Sequence, residues 1–491
     1  MSNKLIPINR LGAIISLSLT LIIWFFIPNP EGVDPHAWHL FALFVGTIAA
    51  IISKALPIGA VAMIAITLVA ITGVTNPGNP KAALSDALSG FSNDLIWLIG
   101  VAIMISMSLS KTGLGARIGY YLISLFGKRT LGIAYALVFS EAILAPITPS
   151  NTARGGGIIH PIMRSVADSY GSKPERGSTE KIGRYLALVN YNANPITSAM
   201  FITATAPNPL IVSLILKGTN DAIHLTWGTW ALAAFVPGLI SLIVMPLVIY
   251  RLYPPEIKKT PDATQFAKEQ LAKLGPMSFS EKITLGVFLL LLLLWAGVPS
   301  MLFGDAFSVN PTTAAFLGLS LLLITGILQW DDILKSKSPW DTIVWFAALV
   351  MMATYLDKLG VVAWLATSVE STIKGMGIGW VLSMLLLVLV YVYSHYFFAS
   401  TTAHITAMFA AFFTAGIALG APPMLLGLTL AFSSSLMMSL THYGTGTAPI
   451  IFGSGYTTLG EWWKTGFVVS VVNLAIWFFI GSLWWKVLGY W

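Results

Sequence analysis

The chain contains no cysteine and few charged residues. Lys, Arg, Asp and Glu make up 10% of its 491 residues, whereas about 25% is usual in a soluble domain. The absence of cysteine excludes disulfides and cysteine-ligated zinc or iron–sulfur centres. The shortage of charge indicates that most of the surface faces something other than water. With 56% hydrophobic residues, the chain is predicted to be one polytopic membrane domain.

Motifs of several enzyme and pump classes are also missing. The sequence has no His-Glu-x-x-His and no Gly-x-Ser-x-Gly motif, and no Gly-Lys-Ser/Thr ending follows the glycine run at 155–157. These absences disfavour a membrane-embedded enzyme and an ATP-driven pump, and no metal or cofactor is predicted. The net charge of +7 is attributed to loops beside a membrane, because no basic patch indicates a nucleic-acid partner. A channel remains a further alternative.

Eleven apolar stretches approach the roughly 20 residues that a membrane span needs. They lie at 9–28, 37–54, 57–73, 92–110, 185–216, 228–250, 283–303, 312–329, 340–356, 423–454 and 465–488. Two more, 131–163 and 378–420, are interrupted by polar residues. We expect re-entrant hairpins there, because non-helical backbone at membrane depth is tolerated only inside protein or beside a cavity. With a cytoplasmic N-terminus, most Lys and Arg residues then fall on the inner side, as the positive-inside rule expects.

Three features occur twice, in the same order along the chain. They are an Asp-to-Lys unit (94–111 and 341–358), a polar motif (TPSNTAR at 148–154 and FASTTAH at 398–404) and a Thr-x-Thr-Ala-Pro segment (203–207 and 445–449). Chance could produce one match but is a minor explanation for three. The Asp–Lys units run in opposite directions in the predicted topology, so two inverted repeats are expected. Their linker includes 253–281, and segments 114–127 and 361–376 are predicted to lie at opposite membrane faces.

Each polar motif places hydroxyl and amide groups at a helix break. Broken segments at corresponding positions of two repeats indicate the substrate site of a secondary transporter, and helix N-termini bind carboxylates through partial positive charge and free N–H groups. The predicted contacts are Ser150, Asn151 and Thr152 for one carboxylate, and Ser400, Thr401 and Thr402 for the other. The alternative is that these side chains bond only to their own helices. The pattern favours a small anion with two charged ends.

Two further breaks are predicted inside apolar spans. Thr205 and Pro207 interrupt 185–216, and Thr447 and Pro449 interrupt 423–454. Proline removes an N–H and frees a carbonyl four residues earlier, and unwound carbonyls can coordinate a cation. The alternative is a simple proline kink. Both breaks follow a hairpin, which favours a role in the substrate site.

The motif at 149–152, the two Thr-Ala-Pro breaks and the segment FGSGY at 452–456 resemble the divalent anion/sodium symporter family over nearly the whole chain. Segment 145–157 is more similar to a branch that holds bacterial citrate/succinate and tartrate/succinate antiporters and plastid 2-oxoglutarate/malate translocators. The resemblance implies a homodimer in which a transport domain moves as an elevator against a scaffold domain. It also implies carboxylate binding at both motifs, although Thr401 stands where the family has Asn.

This resemblance divides the chain into five parts. They are 1–110 (scaffold and start of the first repeat), 111–216 (interfacial helix, inward hairpin and broken helix), 217–356 (scaffold and linker), 357–454 (interfacial helix, outward hairpin and broken helix) and 455–491 (C-terminal helix). The fold class expected is therefore an all-α polytopic membrane protein with about eleven transmembrane helices.

Arg154 and His404 follow the two motifs at the same offset, and sodium-coupled relatives hold one cation beside each motif. Charged residues in a membrane core are costly and usually functional. We hypothesise that both side chains replace bound sodium. An empty carrier would then contain uncompensated positive charge, which favours obligatory exchange. The alternatives are an Arg154 that extends to water and a neutral His404 that bonds to a carbonyl. Glu141, in an arm of the first hairpin, is a candidate partner for Arg154 or another cation, and a packing or interfacial role is the alternative for it.

The function expected is sodium-independent exchange of C4–C5 dicarboxylates, such as succinate, malate, fumarate or 2-oxoglutarate. A citrate/succinate antiporter and a sodium-coupled symporter are the alternatives. The location expected is the inner cell membrane, with many spans and a cytoplasmic N-terminus. The lipid bilayer, the substrate and a second copy of the chain are the expected partners.

Overall fold

The structure is a computed structural model that describes residues 9–361, 363–364, 367, 379–398 and 400–491. These residues form helices joined by turns and loops, with one isolated β-bridge between Arg129 and Lys259. The α-helices up to the middle of the chain are Arg10–Phe25, Pro35–Ile52, Ile58–Thr72, Pro80–Leu88, Asp94–Thr112, Leu114–Phe126, Thr130–Leu144, His160–Ser169, Gly183–Met200, Pro207–Gly218 and Trp227–Leu252. Those that follow are Pro261–Leu274, Phe279–Trp295, Val298–Phe303, Pro311–Ile324, Trp330–Lys335, Lys337–Lys358, Trp380–Tyr393, Thr401–Ala418, Pro423–Leu436, Thr447–Gly453, Leu459–Ala475 and Ser482–Val487.

Many of these helices carry an apolar exterior, which identifies a multi-pass membrane protein. Ile71 and Ile324, for example, are 77% and 82% exposed. Within the described residues, eight helices are long and apolar enough to cross a membrane, or nine if a pair bent by 107° counts as one span. Several predicted spans form shorter apolar helices, such as Ile58–Thr72 and Pro311–Ile324. The count of eleven crossings and their orientation therefore stay predictions.

Both predicted interruptions are present as helix–break–helix units. The first hairpin runs from Thr130 through a short 3₁₀ turn that ends at Ile147, then extends, and becomes helical again from Thr152 to Ser169. Pro146 and Pro149 prevent a continuous helix there, because each lacks a backbone N–H. The second hairpin has arms Trp380–Tyr393 and Thr401–Ala418, and Ser400 at its tip is extended. Ala399 of the second motif lies outside the described residues.

The two predicted broken helices are also observed. Gly183–Met200 is separated from Pro207–Gly218 by an irregular segment, which we call the first break (201–206). Pro423–Leu436 continues as a 3₁₀ turn to Ser439 and is separated from Thr447–Gly453 by the second break (440–446). Each break brings backbone N–H and C=O groups to the interior of the molecule.

The two Asp-bearing helices pack against helices from the opposite half of the chain. Thr312, at the start of Pro311–Ile324, donates a 2.9 Å hydrogen bond to the carbonyl of Asp94. The carboxylate of Asp341 lies against Gly59, near the start of Ile58–Thr72. The predicted interfacial segment 114–127 forms helix Leu114–Phe126. Most of its expected counterpart, 361–376, lies outside the described residues, and the inverted-repeat relationship stays a prediction.

The predicted linker 253–281 is more ordered than a solvated loop. It contains helix Pro261–Leu274, whose Ala263 and Ala267 are buried. The Nε of Arg117 donates to Glu281 at 2.6 Å, and its Nη1 donates to the carbonyl of Gly275 at 3.0 Å. This ion pair fixes the linker to helix Leu114–Phe126, a contact between distant segments that hydropathy does not predict.

Candidate functional site

Both hairpin tips and both breaks meet at one polar cavity of about 200 Å³. The residues that line it are Ile103, Pro149, Ser150, Asn151, Thr205, Ala206, Pro207, Ser338, Thr342, Ser400, Thr401, Thr402, Thr445 and Gly446. Among the described residues, those lining the cavity are uncharged, and many carry a hydroxyl. The cavity therefore offers hydrogen-bond donors without a fixed side-chain charge.

The first hairpin tip places Ser150 and Asn151 in this cavity. The hydroxyl oxygen of Ser150 accepts a hydrogen bond from the backbone N–H of Ala153 at 3.2 Å, which caps the helix that follows. The Ser150 hydroxyl proton therefore remains free to donate to a ligand. The side chain of Asn151 donates to the hydroxyl of Thr445 at 2.9 Å. The first tip is thus joined to the second break.

The second tip repeats this arrangement. The hydroxyl oxygen of Ser400 accepts from the N–H of Ala403 at 3.4 Å, so this serine also caps a helix and keeps its proton for a ligand. Thr401 donates to the carbonyl of Gly444 at 3.1 Å. Both tips are therefore held by hydrogen bonds to the second break.

Several helix N-termini point to the cavity, at Asn151, Pro207, Thr401 and Gly446. Each N-terminus carries the equivalent of roughly half a positive charge. Three or four such ends together present about 1.5 to 2 charges, which matches the charge of a dianion. The positive potential of the site thus comes from backbone dipoles, as in other anion sites at helix ends.

Arg154 lies behind the first tip and is fully buried. Its Nε donates to Glu141 at 2.7 Å, and its Nη1 donates to the carbonyls of Thr148 and Ala204 at 2.6 and 2.9 Å. The guanidinium thus occupies the point where backbone oxygens of the first tip and the first break converge. A cation held by unwound carbonyls would occupy such a point.

The ion pair corrects one part of the sequence hypothesis. The charge of Arg154 is balanced by Glu141 within the same hairpin, at 2.7 Å, with neither side chain more than 1% exposed. The expectation that an empty carrier leaves this charge uncompensated is therefore wrong. The expected alternative, an Arg154 that extends to water, is also wrong, because its exposure is 0%.

His404 is also buried and lies behind the second tip. Its Nδ1 lies 3.0 Å from Nδ1 of His395, and its ring stacks on Phe398. Neither imidazole lines the cavity. An imidazole at this place contacts a second imidazole and aromatic rings, whereas Arg154 contacts a carboxylate and carbonyls.

The structure brings seven of the twelve predicted site residues to the cavity. They are Ser150, Asn151, Thr205, Pro207, Ser400, Thr401 and Thr402. Thr152 lies beside it, close to Gly446. The other four do not line it. Arg154 and His404 lie behind the tips, and Pro449 is exposed. Thr447 is buried, and its hydroxyl donates to the side-chain oxygen of Asn194 at 3.4 Å.

Sequence reasoning missed Thr445, Gly446, Ser338 and Thr342 as cavity residues. The two Thr-x-Thr-Ala-Pro segments align in sequence, but the second helix begins two residues earlier in its segment, at Thr447. Thr445 therefore takes the cavity position that Thr205 has in the first segment. Ser338 and Thr342 come from the start of helix Lys337–Lys358, outside the repeated motifs on which the sequence prediction relied.

Within the part of the chain that the structure describes, no group of three His, Cys, Asp or Glu side chains could hold a metal ion.

Comparison with known proteins identifies the family. A family model described as "Sodium:sulfate symporter transmembrane region" matches residues 9–491. The chain belongs to the divalent anion/sodium symporter family. It is accordingly a membrane transporter and not an enzyme.

Related proteins of this family match over most of their length. YflS of Bacillus subtilis, named as a candidate malate transporter, is 51% identical over 99% of this chain and 97% of its own. The chloroplast dicarboxylate transporter 1 of spinach is 47% identical over 97% of this chain and 81% of its own. The inner membrane protein YbhI of Escherichia coli is 40% identical over 95% of both chains.

Solved structures support the same fold at much lower identity. The YdaH transporter of Alcanivorax borkumensis superposes with a TM-score of 0.59 at 12% identity, over 91% of this chain and 98% of its own. MtrF of Neisseria gonorrhoeae superposes with a TM-score of 0.55 at 15% identity, over 89% and 97%. These likenesses concern the fold alone.

Proposed function

We propose that the protein is a secondary transporter of the inner membrane that exchanges C4–C5 dicarboxylates without sodium. The observation that carries this proposal is the convergence of two hairpin tips and two breaks on one uncharged, hydroxyl-rich cavity. Two serine-capped tips suit an anion with a carboxylate at each end. The names of the relatives from Bacillus and spinach, a malate and a dicarboxylate transporter, favour this substrate class.

The cavity favours a dicarboxylate over citrate. About two positive charges from helix ends balance two carboxylates. A third carboxylate would need a further cationic partner, and the described lining residues include none. Citrate is therefore the weaker candidate, and succinate, malate, fumarate and 2-oxoglutarate are the stronger ones.

The position of Arg154 favours sodium independence. Its guanidinium donates to the carbonyls of Thr148 and Ala204, which a bound sodium ion would otherwise neutralise. Behind the second tip, the place that corresponds to Arg154 is occupied by His404 and its neighbour His395. A sodium-coupled symporter is the alternative function, and sodium titration separates it from an exchanger.

Obligatory exchange follows from the helix ends rather than from Arg154. In the empty carrier, the positive ends of several helices face a cavity without an anion, and moving them across the membrane interior in that state is unfavourable. A bound dianion compensates them. The loaded carrier therefore crosses more readily than the empty one.

The hydrogen bonds between the hairpins and the breaks support an elevator motion. Hydrogen bonds from Arg154, Asn151 and Thr401 tie the hairpins to the breaks, so these elements are proposed to move as one transport domain. Helix Lys337–Lys358 and its neighbour Ile58–Thr72 are proposed to belong to the scaffold. We also propose a homodimer, by analogy with the family.

Counterflow in proteoliposomes tests this function. Vesicles loaded with unlabelled succinate should accumulate labelled succinate equally in sodium and in choline buffers, and empty vesicles should not. Internal malate, fumarate and 2-oxoglutarate should replace succinate, and citrate should do so poorly. Uptake that requires sodium, or that proceeds into empty vesicles, would contradict an obligatory exchanger.

A further inference from the structure

Two histidines lie buried behind the second tip, and neither lines the cavity. His395 and His404 are both 0% exposed, and their Nδ1 atoms are 3.0 Å apart. Nitrogens at this distance share one proton, because one must donate and the other must accept. The hydrogen-bond network around the pair determines which nitrogen carries it.

Ser394 determines the tautomer of His404. The single hydroxyl proton of Ser394 is donated to the carbonyl of Tyr391 at 2.8 Å. Towards Nε2 of His404, at 3.4 Å, the serine oxygen can therefore only accept. We therefore assign the proton of His404 to Nε2, which makes its Nδ1 the acceptor and Nδ1 of His395 the donor.

This assignment leaves Nε2 of His395 without a proton. That atom is buried and makes no hydrogen bond of standard geometry among the described residues. The backbone of Gly444 lies beside the His395 ring, and an acceptor left unpaired here is costly. A Cβ at Gly444 would lie 2.5 Å from it and 2.7 Å from the hydroxyl oxygen of Thr441. The hydroxyl oxygen of Thr441 is likewise buried and has no hydrogen-bond partner among the described residues. Because Gly444 has no side chain, the space beside both atoms stays unfilled.

We propose that Nε2 of His395 is a proton-binding site that fills when substrate binds, a proposal that rests on the dicarboxylate function above. The added proton turns the two imidazoles into one cationic pair. Gly444, which contacts His395, accepts a hydrogen bond from Thr401, and Thr401 lines the cavity. The positive pair therefore lies one layer behind the second tip.

The surroundings make this charge dependent on the substrate. The groups that face the pair are neutral: Tyr391, Ser394, Phe398 and Met408 from the second hairpin, Ser434 from helix Pro423–Leu436, which bonds to Tyr391, and Thr441 and Gly444 from the second break. No carboxylate contacts the pair among the described residues, in contrast to Arg154. A dianion in the cavity would compensate this charge across Gly444 and Thr401.

Proton and substrate are then coupled reciprocally. Substrate binding takes up a proton from solvent, and lower pH tightens substrate binding, by at most about tenfold per pH unit for one proton. The proton leaves with the substrate on the opposite side. Because exchange carries a dicarboxylate in each direction, each with one proton, balanced exchange moves no net proton.

Calorimetry of substrate binding tests the proposal. Purified protein is titrated with fumarate at about pH 7.5, where both carboxyls of fumarate are ionised, in two buffers of different ionisation enthalpy. The apparent binding enthalpies should differ by an amount that corresponds to the uptake of up to one proton. The matched variants His395→Asn and His404→Asn should bind fumarate with no proton uptake.

His39→Asn is the control, because His39 stacks on Trp24 from helix Pro35–Ile52, outside the hairpins and breaks, and it should keep the uptake of the wild type. Measurable fumarate binding with identical enthalpies in both buffers would overturn the proton site and leave the transport function intact. Uptake that persists in His395→Asn would also overturn it. Failure of any dicarboxylate to bind the wild type would instead contradict the proposed function itself.

Discussion

Arg154 and Glu141 connect the two arms of the first hairpin through a fully buried ion pair of 2.7 Å. Glu141 also accepts from the side chain of Asn194 at 2.6 Å, and Arg154 donates to Ser198 at 3.0 Å. The pair therefore joins the hairpin to the first broken helix. It fixes the first tip in place while keeping the net charge behind that tip at zero.

Loss of one partner of this pair should destabilise the protein strongly. Arg154→Ala leaves the Glu141 carboxylate buried without its counterion, and a change of this kind costs about 3–5 kcal/mol. The unfolding temperature in detergent should fall well below that of the wild type. The double variant with Glu141→Gln and Arg154→Gln should recover part of the loss, because no charge is then left unpaired. Equal stability of the wild type and Arg154→Ala would contradict the role of the pair.

Replacing Arg154 should also change how exchange depends on sodium. In Arg154→Ala, the Glu141 carboxylate and the carbonyls of Thr148 and Ala204 form a set of oxygens in which sodium could replace the guanidinium. Exchange by this variant in proteoliposomes should therefore be stimulated by sodium, whereas the wild type should be indifferent. Arg154→Lys keeps a cation in place and is the control. Sodium-independent exchange by Arg154→Ala would show that no cation is needed there.

The two capping serines should each contribute to substrate affinity. Ser150→Ala and Ser400→Ala remove a hydroxyl proton that can be donated to a carboxylate, and hydrogen bonds to charged groups are worth about 1.5–3 kcal/mol. The Kd for succinate should rise by about tenfold or more in each variant. Ser108→Ala is a matched control, because Ser108 is buried but bonds to the carbonyl of Ile105 in its own helix. Unchanged affinity in both tip variants would refute the placement of the site.

Gly446 should be intolerant of a side chain for a local reason. A Cβ there would lie 2.5 Å from the hydroxyl oxygen of Thr152, which would push the first tip away from the second break. Gly446→Ala should therefore weaken dicarboxylate binding with little loss of thermal stability. Gly453→Ala lies near the end of the same helix with nothing within 4 Å of its Cβ and should bind like the wild type. Equal affinities of the two variants would contradict the close approach of tip and break.

Local sequence signals predicted the helix breaks well. Proline and small polar residues interrupt apolar runs, and these features act within a few residues of where they occur. The tips at Ser150 and Ser400, and the breaks before Pro207 and Thr447, are accordingly found at or near their predicted places.

Contacts between distant segments were beyond the reach of such signals. The pairing of Arg117 with Glu281 and the use of Thr445 in place of Thr447 both depend on how helices pack. A sequence motif shows which side chains are polar. Whether such a side chain faces the cavity depends on where its helix begins and on the segment packed against it. The ion pair behind the first tip was within reach of the sequence, because Glu141 lies in the neighbouring arm of the same hairpin, and the structure selects this pairing over a packing role for Glu141.

The central claim is that helix ends and a fixed guanidinium replace bound metal in holding a dicarboxylate. The most direct measurement is the Kd of the wild type for succinate in sodium and in choline buffers of equal ionic strength. We predict values that agree within about twofold. Binding that is tenfold tighter in sodium would show that a metal ion completes the site and would contradict the account.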